Sequence, residues 1–261
     1  MSHDAEKAVY QEVTILGRPA LFTECRIDRS TVPQGVYRLL GYSYIEKRRN
    51  RPTYFVSAND CFSRVGVINT RESNIRDISE NEAYLDEMFD VLREQYQFPV
   101  DQSAIYYLFD RDPKSNTDSA LIEKYILLLA NPYDNDDYKA GQLLLSYPSI
   151  ESYIISNFRD TENVSQFLLG EDAKAYIGEN TDIQLNKISE ETLTKAADEF
   201  LKYLSSEQIA FDVDEFSEAS HAVFTKQEAE YLSGHGFRLF SMLTLALLQM
   251  GIIKTEEVLQ Q

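Results

Sequence analysis

The chain has 261 residues, 43% of them hydrophobic, enough for a substantial core in one large domain or two smaller ones. Its formal charge of −18 argues against a surface that binds nucleic acid uniformly, and its longest apolar run, Leu239 to Ile253, falls short of the roughly 20 residues a bilayer span requires. The start of the chain is polar and acidic and lacks the apolar centre of a signal peptide, so a cytoplasmic protein without a membrane partner is expected.

The charge is unevenly placed. Residues 1–76 carry 12 basic and 8 acidic side chains, which leaves 13 and 35 for the remainder. Such asymmetry points to segments with separate roles. Cys25 and Cys61 have no metal-site spacing and read as reduced core thiols, and three histidines offer little for an imidazole site.

Residues 13–75 read as β-rich. VTILGRPALFTECRI alternates across a turn at Gly17 to Pro19, and Val36 to Tyr44 and Thr53 to Ser57 add strand-like runs, together predicting a small meander. The run Lys47, Arg48, Arg49, Arg51 is either a phosphate contact or a solvated hairpin loop, and the loop is the commoner outcome. Arg26, Asp28 and Arg29 read as a structural ion-pair set. LFTECRIDRSTVPQGVYRL, with a following GVINTRE segment, resembles a small β domain that accompanies large polyvalent proteins of phages and conjugative elements. That resemblance implies a mobile-element setting and no particular reaction.

Ser79 to Glu82 forms a capping box ahead of apolar residues at helical spacing, predicting a helix over about 80–96. IYYLFDRD at 105–112 then has the form of a buried strand that delivers Asp110 and Asp112 where its apolar pattern ends. Asp118 opens an amphipathic helix through Leu129. Leu143 to Leu145 is a second strand, followed by a turn at Tyr147 and Pro148 and by Glu151 in the first turn of another helix. Strand, helix, strand, helix predicts parallel α/β pairing.

Beyond Thr161 the pattern is helical: an amphipathic stretch over 190–204, a second capping box at Thr225 to Glu228 opening a helix toward Met250, and a buried apolar helix over 239–253 that either packs in the monomer or meets a second subunit. Asp212, Asp214, Glu215 and Glu218 lack the glycine and closing glutamate of a calcium loop and read as a solvated acidic loop. His235, between Gly234 and Gly236, reads as a bend or cap. The fold class expected is α/β, α+β overall: a β-rich module at 1–76, a partly parallel α/β core at 77–165, and a helical part at 166–261.

Asp110, Asp112 and Glu151 are the candidate catalytic residues, with Asp110 and Asp112 as ligands of Mg²⁺. Hard cations take oxygen ligands, commonly one or two carboxylates completed by water and phosphate. Asp110 and Asp112 reach one ion only if the strand ends between them, because alternate strand residues stand nearly 7 Å apart. The structural alternative is that Asp110 caps the turn and Glu151 complements a helix N-terminus.

FDRD at a strand end, a crossover helix, and a strand leading into YPSIESYIISNF are similar to the second half of the TOPRIM-like domains of overcoming-lysogenisation-defect and abortive-infection defence proteins. The resemblance covers about 55 residues, matching Asp110 and Asp112 to the metal-binding D-x-D pair and Pro148 and Glu151 to the later P-x-x-E word. It implies a Mg²⁺-dependent phosphodiester-cleaving protein acting on nucleic acid. TOPRIM domains also begin with a strand ending in a glutamate within a glycine-rich turn; Glu72 is the nearest candidate in the segment before the 80–96 helix, and it lacks that turn. The alternative expectation is a non-enzymatic acidic protein that binds a basic protein partner or imitates nucleic acid.

Overall fold

The computed structural model describes residues 103–132, 141–213 and 217–250, the backbone of four strands between 20 and 69, and positions 74–76, 89, 90, 93, 94, 100 and 253. The Gly17 to Pro19 turn, the Arg26, Asp28 and Arg29 set, both cysteines, the Lys47 to Arg51 run, Glu72 and the Ser79 to Glu82 box lie outside the described residues. Of the 80–96 stretch, Phe89, Asp90, Arg93 and Glu94 are described, and all four are helical.

The architecture is mixed α/β. Eight strands form one sheet: β1 (Ala20–Glu24), β2 (Tyr42–Glu46), β3 (Thr53–Ser57), β4 (Arg64–Asn69), β5 (Ala104–Asp110), β6 (Ala130–Asn131), β7 (Gly141–Tyr147) and β8 (Phe240–Ser241). Their order is β2-β3-β4-β1-β5-β7-β6, with β8 also paired to β7. β2, β3 and β4 pair antiparallel in succession, a meander as expected for this part but displaced from the expected runs: β3 coincides with Thr53 to Ser57, β2 begins only at Tyr42, and β4 is not among them. β1 does not fold back as a hairpin; it lies parallel between β4 and β5, so the sheet continues from the N-terminal strands into the later ones. β5 and β7 are also parallel. The short β6 and β8 both run antiparallel to β7, at its two ends. Two short strands thus occupy an edge that would otherwise present unpaired backbone groups.

β5 and β7 are buried almost throughout. In AIYYLFD every residue but the last is buried, and all seven of GQLLLSY are buried. A strand buried on both faces reads as a near-continuous apolar run without alternation; Gln142 and Ser146 are the buried polar residues of β7, and Ser146 is matched by the Ser241 hydroxyl at 2.7 Å. Gly141 enters β7 at φ 122°, where a Cβ would stand 2.5 Å from the Tyr107 ring. No side chain larger than hydrogen fits that approach.

Six helices are described: α1 (Ser119–Leu128), α2 (Glu151–Ser156), α3 (Gly170–Glu179), α4 (Glu190–Ser206), α5 (Ser217–Leu232) and α6 (Leu243–Gln249). Asp118 caps α1 as expected, accepting the Leu121 N–H at 3.0 Å. α4 buries Leu193, Ala196, Ala197, Phe200, Tyr203 and Leu204, one stripe at helical spacing. Phe240 fills the space above that stripe, 5.1 Å from the Phe200 ring centroid and 4.3 Å from that of Tyr203. Contacts of this kind contribute about 0.5–1.5 kcal/mol each beyond burial.

Two expectations for this part are corrected. The apolar run from Leu239 is not one helix: Phe240 and Ser241 pair with β7 before α6 begins at Leu243. Burial alone produces a continuous apolar run, and periodicity cannot separate strand from helix within it. Thr225 to Glu228 is not a capping box either, because α5 is already two turns old at Thr225. The Thr225 hydroxyl donates back to the His221 carbonyl at 2.9 Å, and Glu228 is buried in an ion pair described below. His235 follows the end of α5 between two glycines at positive φ, and its Nδ1 lies 2.7 Å from the Ser233 hydroxyl. Among the described residues no helix is long and apolar enough to cross a membrane.

Candidate functional site

Four parallel strands, β4, β1, β5 and β7, run so that their C-terminal ends share one edge of the sheet. From β1 the chain reaches β4 on one side and later β5 on the other. Ligand sites of open α/β sheets form where neighbouring connections diverge in this way, outside the carboxyl ends of the strands. Asp110 is the last residue of β5 and stands beside Ser146 of β7.

The chain turns immediately after Asp110. Arg111 N–H still reaches the Ser146 carbonyl and Asp112 N–H the Pro148 carbonyl, both at 2.9 Å, which ties the Asp110 to Asp112 segment to the end of β7. Asp112 then makes a turn: its Oδ1 accepts the Lys114 N–H at 3.0 Å, and its carbonyl accepts from Ser115 and Asn116. An aspartate side chain that bonds the backbone two residues on is a standard turn former. Asn116, itself buried, donates to the Asp110 carbonyl at 2.7 Å and accepts the Ile75 N–H at 2.8 Å.

Asp110 points its carboxylate at the start of α2. Its Oδ1 accepts the Ile150 N–H at 2.8 Å, at a helix start where Ile150 itself has no capping side chain. Asp110 therefore caps a helix from another strand, in place of the turn that follows it. Glu151, the next residue of α2, is buried. These neighbours push the Asp110 carboxyl up to about 7: burial does most, the Glu151 charge comes next and Asp112 adds a smaller push, while the Ile150 N–H and the Lys174 charge oppose them. The other two acids anticipated in the sequence thus bear on Asp110.

Gly170, the first residue of α3, closes the other side. A Cβ there would stand 3.0 Å from Asp112 Oδ2 and 3.1 Å from the Ser149 Cβ, so the helix start presses against the Asp112 carboxylate. The positive end of a helix dipole favours an anion at that position. Lys174, one turn along α3, reaches to 3.9 Å from Glu151 Oε1, and Lys114 bridges to Glu171 at 2.6 Å.

Two buried oxygens here have no hydrogen-bond partner among the described residues, Ser149 Oγ and Glu151 Oε2. Ser149 is completely buried. Leaving such a group unsatisfied costs about 1–3 kcal/mol, so an outside group that satisfies it is favoured. Among the described residues no set of three or more His, Cys, Asp and Glu is placed to hold a metal ion on its own.

Sequence reasoning missed three participants. Ser149 carried no signal beyond its place in the P-x-x-E word. Arg111 lay between the two aspartates and its partner Glu228 was assigned to a helix cap. The backbone of Glu24, the last residue of β1, pairs with Leu108 of β5, two residues before Asp110.

Residues 6–44 match the family model described as Large polyvalent protein associated domain 28. The matched segment contains β1, and so Glu24, together with the first residues of β2. No curated protein and no solved structure matches the chain.

Proposed function

We propose that this is a TOPRIM-like, divalent-cation-dependent protein of a phage or mobile element that cleaves or otherwise processes phosphodiesters in nucleic acid. The observation that carries this reading is the pair of unpartnered buried oxygens, Ser149 Oγ and Glu151 Oε2, beside a carboxyl that holds its proton near neutrality. Clustered carboxylates take up either protons or a cation to relieve their mutual repulsion. The donor set is all oxygen, which suits Mg²⁺ or Mn²⁺ and not a softer metal.

Asp110 and Asp112 would hold the ion. Two or three protein carboxylates, completed by water and substrate phosphate, are enough for Mg²⁺. A divalent ion held there would polarise a phosphate and acidify a bound water. The chain's own part is to orient the carboxylates: Ile150 fixes Asp110, the 112–116 turn fixes Asp112, and α2 carries Glu151 to the same edge. Lys174 supplies a cation for a substrate phosphate beside Glu151. The match of residues 6–44 to a domain associated with large polyvalent proteins supports the mobile-element setting.

The test is Mn²⁺ and Mg²⁺ binding by calorimetry together with nicking of DNA and RNA, in the natural protein and in Asp110→Ala and Asp112→Ala. Binding and cleavage are expected in the natural chain and their loss in both variants. Absence of metal binding in the natural chain would falsify this reading and favour the non-enzymatic alternative, in which the charge of −18 recruits a basic protein partner.

A further inference from the structure

Arg111 stands between the two aspartates, yet its side chain goes into the protein interior. It is 2% exposed, and its guanidinium makes four hydrogen bonds: Nε to Glu228 Oε1 at 2.5 Å, Nη2 to Glu228 Oε2 at 2.8 Å, Nη2 to Ser119 Oγ at 3.0 Å and Nη1 to the Asn116 carbonyl at 2.8 Å. Ser119 in turn donates to Glu228 Oε2 at 2.7 Å. Glu228 comes from α5, 117 residues along the chain. The planar fork of a guanidinium matches a carboxylate in one orientation, so this pair fixes a direction as well as a distance.

The segment after α5 touches Arg111 and the stretch of chain that leads into α3. Phe237 lies under Arg111, with Cζ 5.5 Å from the ring centroid, and is stacked on Tyr231 at 4.6 Å. Its backbone exchanges two hydrogen bonds with Phe167, at 2.8 and 3.1 Å. Phe167 lies three residues before Gly170, whose position sets α3 against Asp112. Gly236 makes the exchange possible, since its φ is 91° and a Cβ there would stand 2.9 Å from the Phe167 carbonyl oxygen.

We propose that Arg111, Glu228 and Phe237 are positioning residues for the Asp110 and Asp112 pair, so that α5 and the hook behind it form part of the cation site although they contribute no ligand. The proposal rests on the reading of that site given above. Glu228 holds Arg111 from the interior, and Phe237 holds both the underside of Arg111 and the approach to Gly170. The two carboxylates thereby keep one spacing whether or not a cation is bound. Ion affinity is then set in part by residues remote from the ligands.

The experiment measures the Mn²⁺ dissociation constant by electron paramagnetic resonance in the full chain, for the natural protein, Glu228→Gln, Arg111→Lys, Gly236→Ala and Asp110→Asn. Thermal unfolding is followed in parallel, so that affinity is compared among folded molecules. Glu228→Gln keeps the hydrogen-bonding shape, and Arg111→Lys keeps the charge while losing the fork. Each is expected to weaken Mn²⁺ binding about tenfold or more, and to raise the Mn²⁺ concentration for half-maximal nicking while the rate at saturating Mn²⁺ recovers. Gly236→Ala acts in the same direction through Phe167. A residue that only stabilises the fold would lower the unfolding temperature and leave the dissociation constant unchanged. That outcome, with Asp110→Asn still abolishing binding, overturns the proposal and leaves the site reading intact. No binding in the natural protein overturns both.

Discussion

The turn from Asp110 to Asp112 has two sides, and they differ in how completely their polar groups are used. On the interior side, Arg111 and Glu228 satisfy one another, with Ser119 and Asn116 taking the remaining bonds. On the edge side, Ser149 Oγ and Glu151 Oε2 are buried without a partner and Asp110 resists losing its proton. Both sides bury carboxylates; the interior side matches every carboxylate oxygen with a donor, whereas the edge side has the Ile150 N–H on Asp110 and a long contact from Lys174 to Glu151 and leaves Glu151 Oε2 over. A satisfied buried network specifies geometry, whereas an unsatisfied one marks where an outside group is received. The same three residues thus join a scaffold to a site.

Removing a partner from the satisfied side should have the largest effect. Glu228→Ala leaves the Arg111 guanidinium buried and unpaired, which is expected to cost about 3–5 kcal/mol in equilibrium urea unfolding. The corresponding change on the other side should have the opposite sign. Asp110 has a folded pKa of about 7 against an ordinary 3.8, so the folded state binds its proton more tightly than the unfolded state does. Its contribution is favourable below about pH 4 and is lost as pH rises through 7. Asp110→Asn keeps an acceptor for the Ile150 N–H and removes the charge. Relative to the natural protein, its stability should therefore climb between pH 4 and pH 7 by on the order of 2–4 kcal/mol and then level off. A flat difference across that range would show that the edge side is not under electrostatic strain. Saturating Mn²⁺ should narrow the difference at pH 8, because a bound cation would relieve the same repulsion.

How much of this was legible in the sequence follows from the range of each signal. Buried strands announce themselves by unbroken apolar runs, so β5, β7 and the position of Asp110 were readable, as was the Asp118 cap, which is a contact over three residues. The parallel place of β1 was not, because pairing partners some 80 residues apart leave no local trace, and ALFTE beside a Gly-Pro turn fits a hairpin equally well. Glu228 was misread for a related reason. A Thr-x-x-Glu spacing is the same whether it opens a helix or lies within one, and only the arrival of Arg111 from a distant strand decides. The carboxylates were found by type and position, while the burial that gives Asp110 its chemistry belongs to the folded state.

The smallest expected effect separates the two sides most finely, because it compares two glycines of one helix. Gly178 is exposed near the end of α3, and a Cβ there meets nothing within 4 Å. Gly178→Ala should stabilise the protein by about 0.5–1 kcal/mol, since alanine loses less backbone freedom on entering a helix. At Gly170 the same methyl group meets Asp112 Oδ2 at 3.0 Å and the Ser149 Cβ at 3.1 Å, and neither can withdraw easily. Asp112 is tied into its turn through Lys114, and Ser149 is wholly buried. Overpacking there should outweigh the helix gain and leave Gly170→Ala about 1 kcal/mol less stable than the natural protein. Because the displaced atom is a carboxylate of the site, Mn²⁺ affinity should fall in Gly170→Ala and stay unchanged in Gly178→Ala. Equal affinities in the two variants would mean that α3 packs against Asp112 without helping to place it.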